Sequence, residues 1–173
     1  MLIDIFSDTV CPWCFIGKRH LEQALHETGI ADADINWHAF QLNPDMPAAG
    51  RDRKTYLAEK FGPDAERHIH TRLQDAGRAA GIEFHFDKIK RSPNTLDSHR
   101  LIRLASARGK QDAVVEALFQ AYFIEGRDIG GRQILLAIAA TLGLGDDVAA
   151  WLDSTTEVDT VLDEDRSARQ LGI

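Results

Sequence analysis

Cysteine occurs only twice in this chain of 173 residues, at positions 11 and 14. A framework of several disulfides is therefore excluded. A structural zinc site needs four ligands, usually with a second Cys or His pair. No third cysteine exists and the seven histidines are scattered; His68 and His70, two apart on one expected helix, face different directions. No metal is expected. Positive charge is also short: 20 Lys and Arg stand against 27 Asp and Glu, a net charge of −7. Nucleic acid is not an expected partner, and the basic stretches Arg51–Lys54 and Lys88–Arg91 read as solvated faces. No apolar run approaches the ~20 residues of a membrane span. The opening Met1-Leu2-Ile3-Asp4-Ile5-Phe6 carries no basic n-region. The chain therefore reads as cytoplasmic, with no membrane partner. Oligomeric state is not legible.

The two cysteines frame Cys11-Pro12-Trp13-Cys14, directly after a short apolar run and at the start of a helical pattern. Proline suits the first helical position, where the N–H has no intrahelical partner. This puts Cys11 at the helix start and Cys14 in its first turn. The helix dipole and free N–H groups there favour a thiolate at Cys11. In a reducing cytoplasm such a pair reads as redox-active rather than structural. A structural disulfide and two inert core thiols are the competing readings. Asp8 opposes ionisation by its like charge, and Lys18 and Arg19 oppose Asp8 from a turn or more away.

Leu2–Phe6 reads as a buried strand and Ile35–Leu42 as a second, β-branched and aromatic one. Between them Cys14, Gly17, Leu21, Ala24 and Leu25 repeat at helical spacing, and Gly29 ends the helix. Strand, helix, strand makes a parallel βαβ unit with a right-handed crossover. Both strand ends then meet at one edge, which places the 43–50 loop beside Cys11. Helical patterns follow at about 52–61, 64–80, 94–108, 111–125, 131–142, 146–153 and 156–171. Ser92-Pro93 or Asn94 starts the third of these. Ile82–Phe86 alternates strictly and reads as an extended linker under the core. The expected organisation is an N-terminal βαβ part at 1–50, a helical insertion at 51–155, and a helix returning to the first part at 156–173, with the redox site clasped between.

Ser7 through Lys18 resembles the active-site segment of DsbA-like thioredoxin-fold proteins, nearest the FrnE-like branch. The resemblance continues through Phe40–Pro47, Asn94-Thr95 with His99-Arg100-Leu101, and Leu118–Phe123. It implies an α/β thioredoxin fold with an inserted all-helical domain and dithiol–disulfide oxidoreductase or isomerase activity. The superfamily also holds 2-hydroxychromene-2-carboxylate isomerases and kappa-class glutathione transferases, which generally carry serine where this chain has Cys11. Family members continue into a cis-proline loop and further strands. None of the five prolines lies beyond Pro93, and the chain stops at Leu171-Gly172-Ile173. The C-terminal strands of the fold are therefore expected to be missing, and the chain to be part of a longer natural protein.

In the expected chemistry Cys11 attacks and Cys14 resolves, with Pro12 and Trp13 tuning the pair. No resident cofactor is needed; glutathione or another thiol can serve as co-substrate. The substrates are protein or small-molecule disulfides and thiols. Trp13, Phe15 and Met46 are candidates for an apolar substrate rim, with Asn43 and Pro44 on the adjacent loop. Phe15 also reads as core and Met46 as loop filler. His99 reads either as a proton relay or as a buried structural histidine, and His38 as structural or exposed. Two alternative functions stand beside the first: a glutathione-dependent isomerase or transferase acting on an aromatic molecule, and a redox-sensing binding protein without turnover.

Overall fold

The computed structural model describes residues 1–62 and 65–173, and for 65–69 the backbone alone; Pro63, Asp64 and the side chain of His68 lie outside the described set. The chain starts with β1 (Leu2–Ser7), α1 (Pro12–Thr28) and β2 (Asp34–Ala39). β1 and β2 pair in parallel, with Ile3 opposite Ile35 and Ile5 opposite Trp37. Gly29 closes α1 in the left-handed conformation, donating to the His26 and Leu25 carbonyls. That is the terminus its lack of Cβ permits.

β2 ends at Ala39, three residues before the sequence expectation. The physical reason lies on its outer edge. The Trp37 N–H donates to Gln111 (3.0 Å), the Ala39 N–H to Glu164 (2.8 Å) and the Gln41 N–H to Asp165 (2.7 Å). Side chains of two later helices thus occupy the donors another strand would use, which blunts the edge.

Next come β3 (Arg51–Asp52), α2 (Arg53–Phe61) and α3 (Ala65–Ala79). Asp52 caps α2 through the Thr55 N–H at 2.9 Å. Ile82–Phe86 runs extended, burying Ile82, Phe84 and Phe86 on alternate positions, as its pattern predicts. A 3₁₀ turn (Phe86–Lys88) leads to β4 (Arg91–Ser92), antiparallel to β3. This bridge joins the two basic stretches, so they are not simply solvated faces. Gly50 is required at its entrance: φ is +65°, and a Cβ would lie 2.7 Å from the Ser92 carbonyl oxygen.

The remaining elements are α4 (Leu96–Ser106), α5 (Gln111–Phe119) running into a π-helical turn (Gln120–Ile124), α6 (Arg132–Thr141), α7 (Val148–Leu152) and α8 (Val158–Gln170). α4 begins two residues after the expected start, because Asn94 spends its side chain accepting the Leu96 N–H (2.9 Å). Arg100, only 2 % exposed, donates to the carbonyls of Trp151, Leu152, Ser154 and Thr156 and so satisfies the end of α7.

One contiguous apolar cluster joins Phe15 of α1 and Trp37 of β2 to the helices through Leu101, Val115, Phe119 and Leu135. The apolar face expected for α1 needs correction. Gly17 and Ala24 are exposed, whereas Phe15, Ile16 and the stem of Lys18 are buried. The Lys18 ammonium is satisfied by Glu22, Asp112 (3.1 Å) and Glu116 (3.2 Å). Arg19 pairs with Glu116 and lies 4.8 Å over the Phe15 ring. These cations therefore bind α1 to α5 and do not offset Asp8.

Burial would raise the Glu116 carboxyl, but hydrogen bonds from Arg19 and Gln120 and the charge of Lys18 overcome it and hold the pKa at about 2. A depressed carboxylate stabilises the fold above its unfolded value of 4.5 and loses that contribution as pH falls through about 2. After allowance for solvent screening, Glu116→Gln is expected to cost about 1–2 kcal/mol at neutral pH. Urea unfolding at neutral and acid pH checks this: the deficit should shrink toward pH 2. An equal deficit at both would refute it.

Candidate active site

The turn between β1 and α1 is built from Ser7, Asp8 and Thr9, all buried. The Asp8 carbonyl accepts the Cys11 N–H at 3.0 Å. Thr9 and Ser98 share a hydroxyl hydrogen bond of 2.9 Å, tying the turn to α4. The Asp8 carboxylate, 1 % exposed, accepts the Leu42 N–H (2.7 Å) and faces His99 Nε2 (3.3 Å). One buried acid thus fixes the turn, the loop after β2 and α4 together.

Cys11 occupies the N-cap of α1 in an extended conformation, with Pro12 at the first helical position. Its carbonyl accepts the Cys14 N–H at 3.1 Å. Both cysteines are free and half-buried, so overall exposure does not separate them. Their sulfurs share a hydrogen bond, and the pair ionises as a unit. That bond and burial push the Cys11 thiol up, against the Cys14 N–H, which lowers it. The same bond, helped by the Ser7 hydroxyl and the Asp8 N–H, pulls Cys14 down to about 7 despite burial. The pair therefore shares its first negative charge, with the Ser7 hydroxyl and the Asp8 N–H donating on the Cys14 side and the Cys14 N–H on the Cys11 side.

Beside Cys11 opens a cleft of about 460 Å³. One wall is Val10, Cys11, Pro12, Trp13, Leu42 and Asn43; the other is α2, with Arg53, Tyr56, Leu57, Lys60 and Phe61. Leu73, His70, Ser92, Pro93 and Tyr122 close the rest. Cys14 does not line it. The π-helical turn makes Tyr122 available: its wider winding, with the Glu125 N–H reaching the Gln120 carbonyl at 3.1 Å, sets Tyr122 on the cleft and buries Phe123 in the core. Such turns recur at functional sites. Trp13, Leu42 and Phe61 are each about half exposed around the mouth.

Not all of the expected site residues meet here. Pro12, Trp13 and Asn43 line the cleft with Cys11. Pro44 is exposed outside it. Met46 is buried in its own loop, whose carbonyl accepts the Asn94 amide, and forms no rim. Phe15 is fully buried, stacked on Phe119 at 5.0 Å, and belongs to the core. His99 lies behind the turn against Asp8, away from the cleft. His38 is half-buried between Asp4 (2.9 Å) and Glu164 (3.4 Å). The α2 wall was not anticipated. The charge of Arg51–Lys54 pointed to solvent, and only the β3–β4 bridge turns Arg53 inward. Tyr56, Lys60 and Asn43 form a hydrogen-bonded trio that joins α2 to the loop after β2.

Residues 2–173 match the DSBA-like thioredoxin domain, and the chain belongs to that family. The fold is the thioredoxin-like DsbA fold, mixed α/β and rich in helix. A curated relative, the uncharacterized protein YwbO of Bacillus subtilis, is 29 % identical over 166 residues, covering 96 % of this chain and 76 % of that protein. Among solved structures, SCO1869 of Streptomyces coelicolor, described as a probable DsbA oxidoreductase, is 27 % identical with a TM-score of 0.88. The match covers 100 % of this chain and 76 % of that one. The cytosolic disulfide reductase DsbM of Pseudomonas aeruginosa, solved with GSH, shares the fold at 20 % identity and a TM-score of 0.72, covering 99 % and 81 %. Among the described residues no helix is long and apolar enough to cross a membrane.

Proposed function

We propose that this protein is a thiol–disulfide oxidoreductase in which Cys11 attacks and Cys14 resolves. The observation that carries this reading is the division of the pair by the cleft: Cys11 is on its wall and Cys14 is behind it. A disulfide entering the cleft meets the Cys11 sulfur. Cys11 displaces one substrate thiolate and forms a mixed disulfide. Cys14, one helical turn on, then attacks the Cys11 sulfur, releasing the second thiolate and closing Cys11–Cys14. The dithiol thereby supplies two electrons, and its two protons pass to solvent or to the departing thiolates. The reverse sequence oxidises a substrate dithiol.

The hydrogen bond to Cys14 prepares the first step: it offers Cys14 as acceptor for the Cys11 proton when a substrate arrives. For the second attack the Ser7 hydroxyl and the Asp8 N–H still favour the Cys14 thiolate. Attack rates rise with thiolate fraction, so exchange is expected to accelerate as pH rises. Protein and small-molecule disulfides both suit the half-exposed apolar mouth of Trp13, Leu42 and Phe61. Glutathione or a similar thiol is the proposed reductant of the closed pair.

Insulin reduction with dithiothreitol tests the reading. The wild type is expected to accelerate insulin precipitation, faster above pH 7 than below it, and Cys11→Ser to give the uncatalysed rate. Undiminished activity in Cys11→Ser would overturn it.

A further inference from the structure

Among the described residues, two buried side-chain polar atoms have no hydrogen-bond partner: Nε of Arg53 and Oγ of Ser92. Both residues line the cleft beside Cys11. A buried donor without a partner is costly, so two lining one cleft mark a place where something else supplies the acceptor. Ser92 is 5 % exposed, and its hydroxyl is buried at the cleft lining.

Charge points the same way. Arg53 has no carboxylate partner among the described residues; Nη1 donates to the Tyr122 hydroxyl at 3.1 Å. Burial pushes Tyr122 up to about 12, so it stays neutral and cannot balance the guanidinium. Neighbouring arginines behave differently: Arg51 pairs with Glu59, and Arg91 with Asp128. Lys60 also lines the cleft and is held by neutral oxygens of Asn43 and Tyr56. No Asp or Glu is among the described cleft residues, in a chain whose net charge is −7. A cationic hollow in an acidic protein is a selective feature.

We infer that Arg53 and Ser92 form an anion subsite that holds a carboxylate of the disulfide substrate, orienting its sulfurs toward Cys11. The inference rests on the oxidoreductase reading above and names the substrate class: a low-molecular-weight disulfide bearing a carboxylate. The volume of about 460 Å³ is within the range that encloses small molecules. A guanidinium offering Nε–H and an Nη–H side by side matches a carboxylate fork, and a serine hydroxyl adds a third donor.

The test uses two chromogenic disulfides of similar size, dithiobis(nitrobenzoate), anionic on each ring, and dithiodipyridine, neutral. The reduced protein is reacted with each, and the ratio of second-order rates, anionic over neutral, is read. Arg53→Met is expected to lower that ratio about tenfold, the scale of one charge-assisted hydrogen-bonded pair. Arg53→Lys should recover part of it, since charge remains without the fork, and Ser92→Ala should lower it about threefold. Thermal melting identifies any misfolded variant, and the ratio is read on variants that melt as wild type does, because thiols of unfolded chain react with both reagents. An Arg53→Met ratio equal to wild type would overturn the subsite while leaving thiol exchange intact. Wild-type protein inert to both reagents would overturn the oxidoreductase reading and the subsite with it. A disulfide-linked acidic peptide reacting faster than the small anionic disulfide would overturn the small-molecule assignment.

Discussion

Cys14→Ser is expected to stop turnover and to accumulate a covalent adduct on Cys11. The variant keeps the cleft-lining sulfur and removes the resolving one. The first attack therefore proceeds and the second cannot. Intact mass after exposure to a disulfide should show one substrate half bound per chain, released by dithiothreitol. Insulin reduction should fall to the uncatalysed rate. The variant also replaces the thiol beside Cys11 with a hydroxyl that does not ionise, which removes the acceptor for the Cys11 proton. The rate of adduct formation then reports Cys11 alone, with burial and the Asp8 charge still opposing ionisation. Adduct formation in Cys11→Ser but not in Cys14→Ser would reverse the two roles.

Phe15→Ala is expected to be among the most destabilising single changes near the site. The ring is fully buried, stacks on Phe119 (5.0 Å) and meets Phe84 edge-on (6.0 Å). Removing a buried aromatic side chain costs about 3–5 kcal/mol through lost transfer energy and the cavity left behind. Denaturant unfolding should show a midpoint shift of that size. A rim residue would give the opposite pattern, with stability kept and only substrate affinity changed. Since α1 carries both cysteines, reduced activity is expected to follow unfolding, and folded variant protein should still exchange thiols.

Much of the site was legible because its information is local. Pro12 can occupy a first helical turn in any context, and it places Cys11 and Cys14 on that turn. The parallel βαβ unit follows from short-range periodicity, and it brings Leu42 and Asn43 beside Cys11. Met46 and Phe15 were harder to place, because an apolar side chain near a motif can face solvent or core with the same local pattern. Lys18 shows the converse. Its charge argued for exposure, yet Glu22, Asp112 and Glu116 let its stem be buried. Two of those partners lie more than ninety residues away, beyond any periodicity.

The sequence by itself determined the cysteine pair, the helix start that presents it, the parallel strand–helix–strand frame and the run of helices that follows. Those are consequences of backbone propensity and spacing, which act over a few residues. Only the tertiary structure decided which sulfur lines the cleft, which groups surround the thiol pair, and that α2 forms the opposite wall. Each of these depends on burial and on charges brought together from distant segments. Desolvation and hydrogen bonding set the thiol pair's ionisation. The β3–β4 bridge turns Arg53 toward the cleft, where no carboxylate among the described residues answers it.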